Sequence, residues 1–129
     1  MIMDINKLSS RIIGAAIEVH KTIGPGLLES TYEECICHEL SLGGFSLERQ
    51  KPLAVQYKGL NLDCGYRLDV VVENAIILEL KSCENIEPIH KAQLLTYLKL
   101  SGLKLGLLLN FNVALMKEGI VRIVNELEE

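Results

Sequence analysis

Hydrophobic positions recur along this chain first with a helical period and then with a period of two. Over residues 4–22, Ile5, Leu8, Ile12, Ala15 or Ala16, and Val19 fall on one face, predicting an amphipathic helix with Asp4 as its N-cap. Gly14 costs this helix local stability, which fits a site of close packing. Gly24-Pro25-Gly26 ends the helix and redirects the chain. A second helix is predicted over 28–42, closed by Gly43-Gly44, with Glu29, Tyr32, Glu33, Ile36 and Leu40 along one side. From Phe45 the period becomes two. Residues 46–57 read as one or two strands broken near Pro52, Lys58-Gly59 as a hairpin turn, and 60–64 as the returning strand. Residues 66–82, YRLDVVVENAIILELKS, read as two apolar strands with a tight turn at Asn74-Ala75. Pro88 sits in the first turn of a third helix that runs to about Leu100. An apolar run over 103–109 reads as a buried strand, 110–112 as a loop, and Ile120–Val124 as a last strand.

The order helix, helix, strands, helix, strand, strand predicts an α/β or α+β domain with a mixed sheet. The passage from Ile77 through the third helix to Leu109 is a strand-helix-strand crossover, which implies a parallel pair. At 129 residues the chain is expected to be one domain spanning 1–129. In the 66–82 hairpin, Leu68, Val70 and Val72 with Ile76, Leu78 and Leu80 form apolar faces that should pack together. That leaves Asp69, Glu79 and Lys81 on one common side. The parity requires a three-residue loop or a bulge, with Val71 opposite Glu79 and Asp69 opposite Lys81; a plain two-residue loop would put the carboxylates on different faces.

Composition narrows the class. Apolar content of 49% argues for a packed core. The N-terminus lacks the apolar stretch of a signal peptide, and no run nears the ~18 residues of a membrane span, so a cytoplasmic protein is expected. The four cysteines are then expected to be reduced, and without a C-x-x-C pair a zinc site is not expected. The net charge of −4 weighs against a long nucleic-acid duplex. Part of it lies in the tail 125–129, and phosphate contacts would have to come from scattered Arg11, Lys21, Arg49, Lys51, Lys91 and Lys99.

Ionised side chains in an apolar hairpin require partners or a metal. Asp69, Glu79 and Lys81 are therefore either an ion-pair cluster at a strand end or a divalent-metal site with a catalytic lysine. Magnesium takes one or two carboxylates with other oxygens, and the Leu80 carbonyl lies between Glu79 and Lys81 as a further ligand. A lysine beside the metal would act on a water and on negative charge developing at phosphate. On the third helix His90, Gln93 and Tyr97 share one face, and Gln93 and Tyr97, at the border of its buried side, are suited to holding a substrate backbone. Glu29 alone is an ordinary first-turn acid favoured by the helix dipole, and His20 is expected to meet last-turn carbonyls.

The order Asp69, Glu79-x-Lys81, then Gln93-x-x-x-Tyr97 resembles the PD-(D/E)XK nuclease superfamily, and the glutamine-tyrosine helix is similar to that of its exonuclease branch. Gly26-Leu-Leu-Glu29-Ser-Thr-Tyr32 resembles the motif that names its GxxExxY family, over about residues 12–124. The resemblance implies a restriction-endonuclease-like αβββαβ core. It implies Mg²⁺ or Mn²⁺ held by Asp69 and Glu79, with Glu29 as the acidic residue of the first core helix. Lys81 would serve the attacking water, and Gln93, Tyr97 and Tyr32 would bind substrate or support the site. One departure is that Leu68, not proline, precedes Asp69. The expected activity is metal-dependent hydrolysis of phosphodiester bonds in DNA before RNA. The rivals are a silent module binding a protein or nucleic-acid partner, and a hydrolase of small phosphate esters. The small size leaves a homodimer open.

Overall fold

The structure is a computed structural model that describes residues 3–127. Helix α1 (Ile5–Ile23) begins as expected, with the Asp4 carboxylate accepting the Asn6 N–H. Helix α2 (Glu29–Leu42) follows, then β1 (Leu47–Pro52), β2 (Val55–Tyr57), β3 (Leu60–Leu62), β4 (Arg67–Val72) and β5 (Ile76–Lys81). Helix α3 (Pro88–Ser101), β6 (Leu105–Asn110), a 3₁₀ turn at Met116–Gly119 and β7 (Ile120–Val124) complete the chain. The expected acidic tail reaches Glu128 and Glu129, which lie outside the described residues.

Strands β1-β4-β5-β6-β7 form one mixed sheet, in which β5 and β6 are parallel and the other neighbours antiparallel. The β5-α3-β6 crossover supplies the parallel pair, as its length requires. Strands β2 and β3 form a separate hairpin whose turn, Lys58-Gly59, has φ of 48° and 83°, the left-handed pair a two-residue hairpin loop needs.

Alternation along the central strands divides the core. Val70, Val72, Ile76, Leu78, Leu80, Leu105, Leu107 and Leu109 pack with Ile12 and Ala16 of α1 and with Ile36 and Leu40 of α2. Val71, Ile77 and Leu108 pack with Leu94 and Leu98 of α3. The sheet thus lies between an α1/α2 layer and α3, and this buries β5 on both faces.

Two hairpin expectations are corrected. The β4–β5 loop has three residues, Glu73-Asn74-Ala75, but Val72 pairs with Ile76 and Val71 with Ile77, two residues from the expected register. Glu73 N–H donates to Ser46 O while the Glu73 carboxylate accepts the Ser46 N–H, so Glu73 is bound to the start of β1 and does not pair with β5. An offset of two keeps parity, so Asp69 and Glu79 retain a common side. Leu68 does not stay with Val70 and Val72; it joins Leu53, Val71 and Leu94 on the α3 side. The cause is a break in the pairing next to it, described below.

Gly106 of β6 is where α3 comes closest. A Cβ there would stand 2.9 Å from both Leu94 methyl carbons, and Leu94 is wholly buried and has nowhere to move. Gly106→Ala should therefore destabilise the fold by about 1–3 kcal/mol, read as a lower denaturation midpoint with an unchanged slope. A midpoint equal to that of the natural protein would show that α3 is not seated on Gly106.

Candidate active site

Backbone pairing between β4 and β5 runs from Val72↔Ile76 to Val70↔Leu78. One step further, Asp69 Oδ2 accepts the Leu80 N–H at 2.8 Å, so a side chain takes the position of a backbone acceptor. On the other edge of β4, the register with β1 passes from Arg49↔Val70 to Lys51↔Leu68 without Gln50, whose φ is 50°. Asp69 is thus flanked by an interruption on each side. Its carboxylate turns across the strand edge toward β5, and Leu68 is released to the other layer. In a strand the carbonyl of a residue lies on the same edge as its N–H, so the Leu80 carbonyl is directed at the same gap.

Glu79 alternates with Ile77 and so belongs to the α3 face. It is 8% exposed, and its Oε1 is buried with no hydrogen-bond partner among the described residues. Burial, then the charge of Asp69 and the hydrogen bond between the two carboxyl groups, raises its pKa to about 9. Asp69 is also raised, chiefly by burial, with the Leu80 N–H acting in the opposite direction. Lys81 is half-buried, and its charge favours ionisation of both acids, yet it makes no ion pair within 4 Å among the described residues. The pair is short of positive charge. Hard oxygen donors, one of them buried and unpartnered, fit Mg²⁺ or Mn²⁺ better than a softer metal. No three His, Cys, Asp or Glu side chains among the described residues are grouped to hold a metal; the oxygens that could hold one here are those of Asp69, Glu79 and the Leu80 carbonyl.

A cleft of about 380 Å³ opens on the α2 side of Asp69, lined by Glu29, Glu33, Glu34, Arg49, Gln50 and Leu80 among others. Arg49 bridges Glu33 at 2.8 Å and Glu34 at 2.6 Å, and Gln50 Nε2 donates to Glu33 Oε1 at 2.6 Å. The Glu33 side chain is 12% exposed, and its charge acts on Asp69. This clamp ties α2 to the point where β1 leaves β4. Sequence reasoning placed Glu33 on a helix face and Arg49 among scattered cations, and missed their pairing. Partners 15–17 residues apart give no local periodic signal.

Other candidates fall in different places. Glu29 is exposed; its Oε2 accepts the Ser82 N–H at 3.4 Å, so it lines the cleft without joining the carboxylate pair. Tyr32 is 0% exposed and stacks on Phe111 at 4.4 Å. Its hydroxyl donates to Gly24 O and accepts the Leu27 N–H, which pins the loop before α2. Tyr97 is partly buried on α3, with its pKa raised by burial and then by the charges of Glu79, Tyr66 and Asp69. Gln93 is exposed and makes no side-chain hydrogen bond among the described residues. The Nδ1 of His90, on the same helix, accepts the Glu87 N–H and caps α3. His20 is also corrected, since its Nε2 meets Val113 O at 2.7 Å, because buried His20 faces the loop after β6. The four cysteines are free, as expected.

Beyond Lys81, buried Asn110 holds the chain in place: its Oδ1 accepts the Cys83 N–H and its Nδ2 donates to Cys83 O. The C-terminal end of β5 is thereby fixed to the end of β6, its parallel neighbour.

A five-stranded mixed sheet between helices, with an acidic pair and a lysine where β4 and β5 part, defines a restriction-endonuclease-like fold. The chain belongs to the PD-(D/E)XK nuclease superfamily, whose family model matches residues 6–123. No curated protein and no solved structure matches it. No helix among the described residues is long and apolar enough to cross a membrane.

The raised pKa of Glu79 predicts how stability varies with pH. A carboxyl whose pKa rises from 4.5 unfolded to about 9 folded contributes stability fully present below the unfolded value and lost as pH climbs toward the folded one. The metal-free protein should lose stability on this account between those values. Glu79→Gln should flatten the profile and stabilise the metal-free protein at neutral pH by on the order of 2 kcal/mol. Denaturant titrations across that pH range check it; parallel curves for both proteins would refute the assignment.

Proposed function

We propose that the chain is a divalent-metal-dependent nuclease that hydrolyses phosphodiester bonds, in DNA before RNA. The observation that carries this reading is the Asp69–Glu79 pair, two neighbouring carboxylates with buried Glu79 Oε1 unpartnered and Lys81 two residues on. Membership of the nuclease superfamily supports the same chemistry. Asp69, Glu79 and the Leu80 carbonyl would hold Mg²⁺ or Mn²⁺. The bound ion would lower the pKa of a water and offset charge on the scissile phosphate.

Each residue then has a separate task. Asp69 is kept in place by the Leu80 N–H, and Glu79 by burial. Lys81 orients the attacking water and offsets negative charge that develops on the phosphate oxygens. Tyr97 borders the pair and positions the substrate backbone, with Gln93 one turn earlier at the surface. Glu29, exposed at the cleft, and Glu33, nearer Asp69, hold the α2 side acidic. Tyr32 supports the loop bearing the motif Gly26-x-x-Glu29-x-x-Tyr32, and that spacing is our ground for placing the chain in the GxxExxY branch. A single domain, a cytoplasmic site of action and a homodimer belong to the same proposal.

A turnover assay on a panel of DNA and RNA substrates with Mn²⁺ tests it, beside calorimetry of Mn²⁺ binding. Glu79→Gln should lose metal binding and activity together. Lys81→Met should keep metal binding, or tighten it slightly because a competing cation is gone, and lose about 10²–10³ in rate. A natural protein that binds no divalent metal at millimolar concentration, with nucleic acid present, would sink the enzyme in favour of a silent binding module.

A further inference from the structure

Charge is unevenly placed on the helices of this acidic chain, although α1, in the same layer as α2, carries Lys7, Arg11 and Lys21. Helix α2 carries Glu29, Glu33, Glu34 and Glu39 and no lysine or arginine. Helix α3, across the sheet, carries exposed Lys91 and Lys99 and no acid. Glu79 belongs to the α3 face, and the cleft on the α2 side of Asp69 is lined by three glutamates whose one cationic neighbour, Arg49, is already bridged to two of them. Exposed Glu84 and Glu87 stand at the N-terminal end of α3, so a polyanion is repelled from α2 and attracted to α3 at Lys91 and Lys99.

The approach over α3 passes one aromatic platform. Tyr66 stands where the β2–β3 hairpin rejoins the sheet, and its carbonyl accepts the Leu53 N–H at 2.9 Å. Its ring is 46% exposed and lies 6.4 Å from the Tyr97 ring at 56°. Tyr97 in turn is within electrostatic reach of Glu79 and Asp69. Tyr66 is therefore anchored by its backbone on one side and by a ring on the other, with a free π surface one side chain removed from the carboxylates. Arg67 beside it is exposed and makes no ion pair among the described residues. At the tip of the same hairpin, exposed Tyr57 carries Lys58 over its ring at 5.3 Å. Aromatic rings with flanking cations are the combination that holds unpaired bases, because every base has a π face; a closed duplex offers none along its length.

We propose that the substrate is single-stranded or frayed nucleic acid, that it enters over α3 and the β2–β3 hairpin, and that an unpaired base stacks on Tyr66. The inference rests on the nuclease reading for its choice of nucleic acid as ligand. Fluorescence anisotropy with EDTA present reads binding without turnover, using labelled oligothymidylate of about 16 nucleotides and a duplex of the same length. The single strand should bind more tightly. Tyr66→Ala should weaken it by about 5–100-fold, and Tyr66→Phe should stay within about twofold. Tyr66→Leu, which keeps apolar bulk without a π face, should behave as Tyr66→Ala, so an unfolded alanine variant does not decide the matter. Lys91→Gln should reduce the salt slope by about 0.7, whereas Lys21→Gln on α1 should not change it. A duplex bound as tightly as the single strand, or leucine and phenylalanine variants that bind alike, would overturn the proposal. Cleavage of the substrate panel with Tyr66-independent binding would overturn it alone; Tyr66-dependent binding without cleavage would instead overturn the nuclease reading and support this one.

Discussion

Asp69 accepting the Leu80 N–H is the contact on which the arrangement of the site depends. It replaces a backbone pair between two central strands, and it is available because Gln50 leaves the other edge of β4 with φ of 50°. A non-glycine residue in that region costs of order 1–3 kcal/mol and persists where its surroundings over-determine it. Here they do: Gln50 donates to Glu33, and Glu33 is held by Arg49 together with Glu34. The clamp on α2 thus reaches the carboxylate of Asp69 through the backbone of β1, and Asp69 in turn faces Glu79. A chain of short, directional contacts places two acids together against their mutual repulsion.

That repulsion bears on function. Two neighbouring carboxylates, one of them buried, resist both being charged unless a cation joins them, and Lys81, outside ion-pairing distance, offsets only part of the deficit. Glu79 therefore holds a proton in the metal-free state at neutral pH, and on the proposed function a divalent ion would have to displace it. Metal affinity and proton affinity would then compete at one oxygen pair. The same desolvation that raises Glu79 also strengthens any field a bound cation exerts on a phosphate, since water screens little there. A loosely built, solvated acidic pair would bind protons less tightly and would also polarise a substrate less.

Much of the fold was legible in the sequence because it follows from short-range periodicity. The Asp4 cap, the helical period of α1, the Lys58-Gly59 turn and the run that became β6 each carry their signal within a few residues. The candidate acids stand out in the sequence for a different reason: charged residues are conspicuous in an apolar hairpin, and the parity shared by Asp69, Glu79 and Lys81 survives a register error of two. What stayed hidden depends on partners far along the chain. His20 meets Val113 O, 93 residues away, and Arg49 meets Glu33, 16 away. The swing of Leu68 to the α3 layer follows from the irregular Gln50, and a glutamine in a strand carries no mark of a left-handed backbone. Tyr32 reads from the sequence as a polar-tipped residue open to contact, whereas its hydroxyl is consumed by the two ends of the loop beneath it.

The contrast in charge between α2 and α3 also bears on an apparent conflict. A net charge of −4 on 129 residues argues against a nucleic-acid partner only if the charge is spread evenly. Over a Debye length of about 8 Å at physiological salt, a phosphate senses the nearest surface and little of the far side of a three-layer domain. The α2 face carries four glutamates without a lysine or arginine, and α3 carries lysines without an acid. On the proposed function, the acidic excess near the carboxylates would favour a cation arriving from the α2 side, while Lys91 and Lys99 on α3 would meet a polyanion. An even distribution of the same residues would weaken both attractions at once.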